Sequence, residues 1–123
     1  MIRAAALALL ASPAAAQVYC GFGFPPAVQT SVEIALSDNP DIWAVVTIRN
    51  RLAGRSGHPD RPCRLVIDHE EVLVFYDPGP RAVPDRFRVV VPPGYVADPA
   101  EMILPDDQDA TVPIRRAITG PTG

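Results

Sequence analysis

Prolines punctuate this chain too often for any long helix to form. Fifteen are spread over 123 residues, and all but Pro13 lie beyond residue 16. Each lacks a backbone donor and has a fixed φ, so proline belongs at turns and strand edges and ends any helix that meets it. Between them the chain reads as short β segments: Gln29 to Leu36, Ile42 to Arg49, Cys63 to Asp68, Val72 to Tyr76, Arg86 to Val91 and Thr111 to Arg115. Alternation supports these strands. Val32, Ile34 and Leu36 fall on one face with Ser31 and Glu33 opposite, and Phe87, Val89 and Val91 alternate with Arg86 and Arg88. Ile42 to Ile48 and Val72 to Tyr76 are apolar on both faces, as central strands are, and Trp43 is expected to sit in the core.

Turn signals separate these runs: Ser37-Asp38-Asn39-Pro40, Asp77-Pro78-Gly79-Pro80 and Pro92-Pro93-Gly94. The second suits a turn with Pro at its second position and Gly at its third. Tyr95 reads as a tyrosine packing at a strand end. Asp98-Pro99-Ala100-Glu101 matches a helix start, with Asp as cap and Pro at the first helical position, but Pro105 leaves room for two turns at most. Residues 98 to 105 therefore form either a short helical turn or a bent strand. Ala117 to Gly123 read as a frayed tail. Many short strands at regular spacing predict an all-β fold, a small immunoglobulin-like β-sandwich or compact barrel of about six to eight strands.

The N-terminus predicts export. Arg3 gives a positive start, Ala4 to Ala11 form a short apolar run, and Ala14-Ala15-Ala16 supply a small-residue cleavage site. An eight-residue run falls far short of the roughly 20 residues that a membrane-spanning helix needs. Cleavage after Ala16 leaves residues 17–123 as one domain, with no stable membrane insertion. Val18 and Tyr19 just ahead of Cys20 argue against lipid attachment there, since lipoprotein processing wants a small residue before the cysteine. The compartment is then periplasmic or secreted. Thiols oxidise in such places, so Cys20 and Cys63 are expected to form one disulfide. Gly21-Phe22-Gly23 is expected to be a flexible lead-in beside Cys20, with Phe22 and Phe24 packing on the core.

Charge narrows the partners. The whole chain carries −3, and losing Arg3 takes it to −4, which argues against nucleic acid. That charge is unevenly placed. Arg49, Arg51, Arg55, Arg61 and Arg64 face one acid, Asp60, whereas Asp98, Glu101, Asp106, Asp107 and Asp109 face no base. If the two runs lie apart the domain is electrically polar, and if they adjoin they neutralise one another. The long loop from Arg49 to Arg64 is the expected contact surface, holding Arg51, Arg55 and Arg61 toward an anionic envelope component or a protein partner.

Catalytic and metal patterns are thin. His58 sits in a Gly/Arg-rich loop, and His69 in Asp68-His69-Glu70-Glu71 reads as a tight turn between strands. Zinc sites want three or four ligands at suitable spacing, and neither histidine has them in sequence. Gly54-Arg55-Ser56-Gly57 lacks the pattern of a nucleophile elbow. The acidic cluster at Asp106, Asp107 and Asp109 lacks the alternating ligands, central Gly and distal Glu of a calcium loop. Gly21-Phe22-Gly23 does not make a phosphate loop. The expectation is therefore a non-enzymatic, cofactor-free binding or accessory protein of the cell envelope, acting through loops or an open strand edge. The alternatives are a small periplasmic metal-binding protein or hydrolase built on His58, His69 and the acidic cluster, and a structural subunit of an envelope complex.

Overall fold

The computed structural model describes residues 17–22, 30–51, 61–78 and 84–117. The expected signal peptide (residues 1–16), Phe24, Arg55, His58 and residues 118–123 lie outside them. The described chain is all-β, with nine strands in two antiparallel sheets. That is more strands than the expected six to eight, and the sheets form a sandwich, not a closed barrel.

All six expected strands are present. They are β2 (Thr30–Leu36), β3 (Ala44–Arg49), β4 (Cys63–Ile67), β5 (Glu70–Asp77), β6 (Asp85–Val90) and β9 (Asp109–Arg116). Three more complete the sheets: β1 (Gln17–Phe22), β7 (Tyr95–Ala97) and β8 (Glu101–Leu104). Gly21 and Phe22 thus belong to a paired strand and not to a flexible lead-in, because all six residues of β1 register with β2. Residues 101–104 are strand and not helix. Pairing with β6 aligns Leu104 with Asp85 and Met102 with Phe87, so their side chains turn inward with a period of two.

One sheet runs β1-β2-β3-β9-β7 and the other β4-β5-β6-β8. Both doubly apolar segments, β3 and β5, lie in sheet interiors as expected. The core fills the space between the layers. Ile34, Val46 and Val112 lie in register across one sheet, as do Val74 and Val89 across the other, and all are buried. Each such side chain contributes about 1.5–3 kcal/mol on burial. Phe22, Tyr76 and Phe87 form an aromatic run across the layers, with centroid spacings of 5.1 and 5.0 Å. The Tyr76 hydroxyl donates to Asp85 Oδ2 at 3.0 Å, so the polar tip is satisfied inside. Cys20 in β1 and Cys63 in β4 are joined by the expected disulfide, which staples one sheet to the other. It fits an oxidising compartment. No helix among the described residues is long and apolar enough to cross a membrane.

Two turns orient the chain. Asp68 and His69 take φ of 48° and 71° between the paired residues Ile67 and Glu70. Positive φ at both central positions suits the right-handed twist of a two-residue hairpin, and Asp and His enter that region more readily than most side chains. In the second turn, Tyr95 N donates to Pro92 O at 3.2 Å, with Pro93 next and Gly94 at φ 92°. Pro93 presets the second position and Gly94 takes the positive φ of the third, so the chain reverses from β6 into β7 of the other sheet. This is the geometry expected of Asp77-Pro78-Gly79-Pro80, whose Gly79 and Pro80 lie outside the described residues.

Candidate functional site

The strand directions divide the loops between two ends of the sandwich. At one end lie the β2–β3 loop, the Asp68-His69 hairpin, the Pro92–Tyr95 turn and the last residues of β9. At the other lie the end of β3, Arg51 and the turn between β8 and β9.

At the first end the β2–β3 loop ties itself down. Asn39 N donates to Ser37 Oγ at 3.0 Å, Asp41 N to Asn39 Oδ1 at 2.8 Å, and Ser37 N to Trp43 O at 3.0 Å. These are the local side-chain bonds that Ser and Asn favour in turns. Trp43 N then donates to Ile114 O at 2.8 Å, which fixes Trp43 against β9. Its ring stacks on Tyr95 with centroids 3.9 Å apart and planes at 29°. Trp43 is consequently not the core residue expected; it is half-buried and packs against the rim of the core.

Tyr95 couples the two layers. Its hydroxyl donates to Glu70 Oε1 of the opposite sheet at 3.1 Å, and the Arg116 guanidinium lies 5.2 Å from its ring centre. Burial, followed by the hydrogen bond to Glu70, holds the phenol's pKa above its usual 10, while Arg116 acts in the opposite direction. Beside this stack is a cleft of about 670 Å³. Leu36, Trp43 and Ile67 give it apolar walls, and Asp38, Asp41, Asp68, Arg115 and Arg116 give it a charged rim. Leu36 continues the inward face of β2 but is 39% exposed, because here the sheet ends and the cleft begins.

Among the described residues, the opposite end is closed by buried polar groups. Asn50 is fully buried, donating through Nδ2 to Leu104 O at 2.9 Å and to Pro105 O at 3.2 Å. The buried Thr30 hydroxyl lies 3.1 Å from Asn50 Oδ1 and 3.0 Å from Arg51 O as a donor, and it accepts from Arg51 N at 2.9 Å. Asn50 N and O also exchange backbone bonds with Gln108 O and Asp107 N. Sequence reading missed Asn50 altogether. An Asn after a strand looks like an ordinary turn residue, and only the fold buries it.

Two of the three expected contact residues, Arg51 and Arg61, fall at this closed end. Arg51 is only partly exposed, and its guanidinium is held within the fold, bonding Asp109 Oδ1 at 2.9 Å and Asn50 O at 2.8 Å. Arg61 is exposed, and Arg55 lies outside the described residues. The basic and acidic runs meet directly, with Arg49 and Asp109 cross-strand partners and Arg51 paired to Asp109, so at this point they neutralise one another. His69 is exposed in its turn, and no group of three or more His, Cys, Asp or Glu among the described residues is placed to hold a metal ion.

The cleft escaped sequence reading because its residues come from three separate segments, 36–43, 67–68 and 115–116. The usable signal was the chain's single tryptophan beside a polar loop. Comparison with protein-family models, curated proteins and solved structures finds no match.

Proposed function

We propose that this protein is an exported, non-enzymatic binding module of the cell envelope that engages its partner at the loop end around Trp43. The observation that carries this reading is the cleft itself: an aromatic platform held in place by Tyr95, rimmed by Asp38, Asp41, Asp68 and Arg115, which make no ion pair among the described residues. Preformed, partly apolar clefts with a few polar groups are where proteins commonly take ligands. Export rests on the N-terminal sequence pattern and agrees with the disulfide. The test is capture from an envelope extract with wild-type protein and with the Asp41→Ala and Arg115→Ala variants, after N-terminal sequencing of the exported chain. Processing should leave Gln17 first, and captured material should fall away in both variants. Equal capture by all three proteins refutes the loop-end reading.

A second reading is strand addition at an open edge, and β1 favours it. Its six residues have no charged side chain and no proline, and pair only with β2 among the described residues. The other side of the sandwich is protected differently, since β7 has three residues and β8 four, bounded by Pro99 and Pro105. Uncharged, proline-free edges accept an extended strand most readily. Tyr19→Lys, at a position 64% exposed on β1, should abolish capture if this edge is used and leave it unchanged if the cleft is used.

A further inference from the structure

We infer that the Trp43 cleft recognises a neutral saccharide, an inference that rests on the loop-end reading and names its ligand class. Trp43 lines the cleft and Tyr95 does not, although the two rings stack at 3.9 Å. Trp43 is half-buried, so part of it meets the cleft while its ring is backed by Tyr95. Its backbone bond to Ile114 O and the Tyr95 stack fix it before any ligand arrives. A platform ordered in advance loses little conformational freedom on binding.

The rim decides what the platform can accept. Asp38, Asp41, Asp68 and Arg115 make no ion pair among the described residues, unlike Arg51, Arg64 and Arg86, which each hold a carboxylate. At neutral pH carboxylates only accept hydrogen bonds, and a guanidinium only donates. A ligand that satisfies both must offer donors and acceptors around a flat apolar face. Hydroxyl groups do both, and a pyranose ring carries C–H groups on its faces with hydroxyls around its edge. The near balance of charge is compatible with this. Three carboxylates and two guanidiniums line the cleft, so neither sign dominates and a ligand without net charge can bond both sets. The volume of about 670 Å³ lies within the roughly 300–1,000 Å³ of small-ligand clefts and suits a short oligosaccharide.

The single tryptophan makes the test direct. Purified protein is titrated with maltohexaose, cellohexaose and chitohexaose, following Trp43 emission and, separately, heat of binding. At least one should bind saturably, with affinity nearly constant from about 50 to 500 mM NaCl because no net charge is neutralised. Asp41→Ala and Arg115→Ala should each weaken binding about tenfold or more with unchanged melting temperature, as both side chains are exposed and unpaired. Trp43→Ala should abolish it, and the two rim variants keep the result interpretable if removing the indole disturbs Tyr95. Absence of binding to all three saccharides overturns the ligand class, as does binding that survives both rim substitutions. If saccharides fail while a protein is captured in an Asp41- and Arg115-dependent way, the ligand class falls and the loop-end reading stands. If both fail, both fall.

Discussion

The two ends of the sandwich contain similar chemistry put to opposite uses. At the closed end, Arg51 and Asp109 cancel, and Asn50 and Thr30 spend their polar groups on one another and on the backbone of residues 51, 104 and 105. At the loop end, Asp38, Asp41, Asp68 and Arg115 hold no ion pair among the described residues and lie around a half-buried tryptophan. A run of like charges in a sequence thus says little about binding until its neighbours in space are known. The basic and acidic stretches of this chain meet where Arg49 and Arg51 face Asp109 and cancel there, while charges at the other end stay unpaired among the described residues.

The same contrast extends to how the layers are tied. The disulfide and Asn50 join the sheets through buried groups, whereas Tyr95 and Glu70 join them near the surface. Stability should therefore fall from the closed end toward the loop end. Cys63→Ser carries the largest expected effect. The bridge spans a sequence separation of 43 residues, and its loss should lower unfolding free energy by about 4 kcal/mol in the chain-entropy model, read by urea denaturation. A loss no greater than that of a surface substitution would show that burial alone holds the layers together.

Asn50→Ala comes next, at about 2–3 kcal/mol. It leaves the carbonyls of Leu104 and Pro105 without their side-chain donor and removes the amide oxygen beside Thr30. Amide hydrogen exchange should accelerate first around residues 104–109. Acceleration centred instead on the Trp43 loop would reverse the proposed order of the two ends.

Tyr95→Phe should have the smallest effect, about 1 kcal/mol, since it removes one hydrogen bond at a partly buried site and keeps the ring stack. Its value lies in pH dependence. The folded protein holds this phenol neutral to higher pH than the unfolded chain does, so its contribution is intact below about pH 10. As pH rises beyond that, the unfolded chain loses its proton first, and the contribution is lost through the folded protein's higher value. Stability measured from pH 9 upward should decline less steeply in Tyr95→Phe than in wild type; parallel curves would refute the role assigned to the Tyr95–Glu70 contact.

The sequence by itself determined the all-β class, six of the strands, the disulfide and the tight turn at Asp68-His69. Proline placement and alternation act over a few residues, and two cysteines leave only one intramolecular pairing. Only the tertiary structure decided that Gln17–Phe22 and Tyr95–Ala97 are strands, because β1 contains Gly21 and β7 is three residues long, and each depends on a partner for its pairing. It decided against a helix at residues 98–105, where pairing with β6 outweighed a good local cap. It also placed Arg51 against Asp109, brought Trp43 to the rim and gathered the cleft from three segments. The physical reason is range: backbone preference and side-chain period are written locally, whereas which charges cancel and which remain depends on contacts between residues up to 58 positions apart.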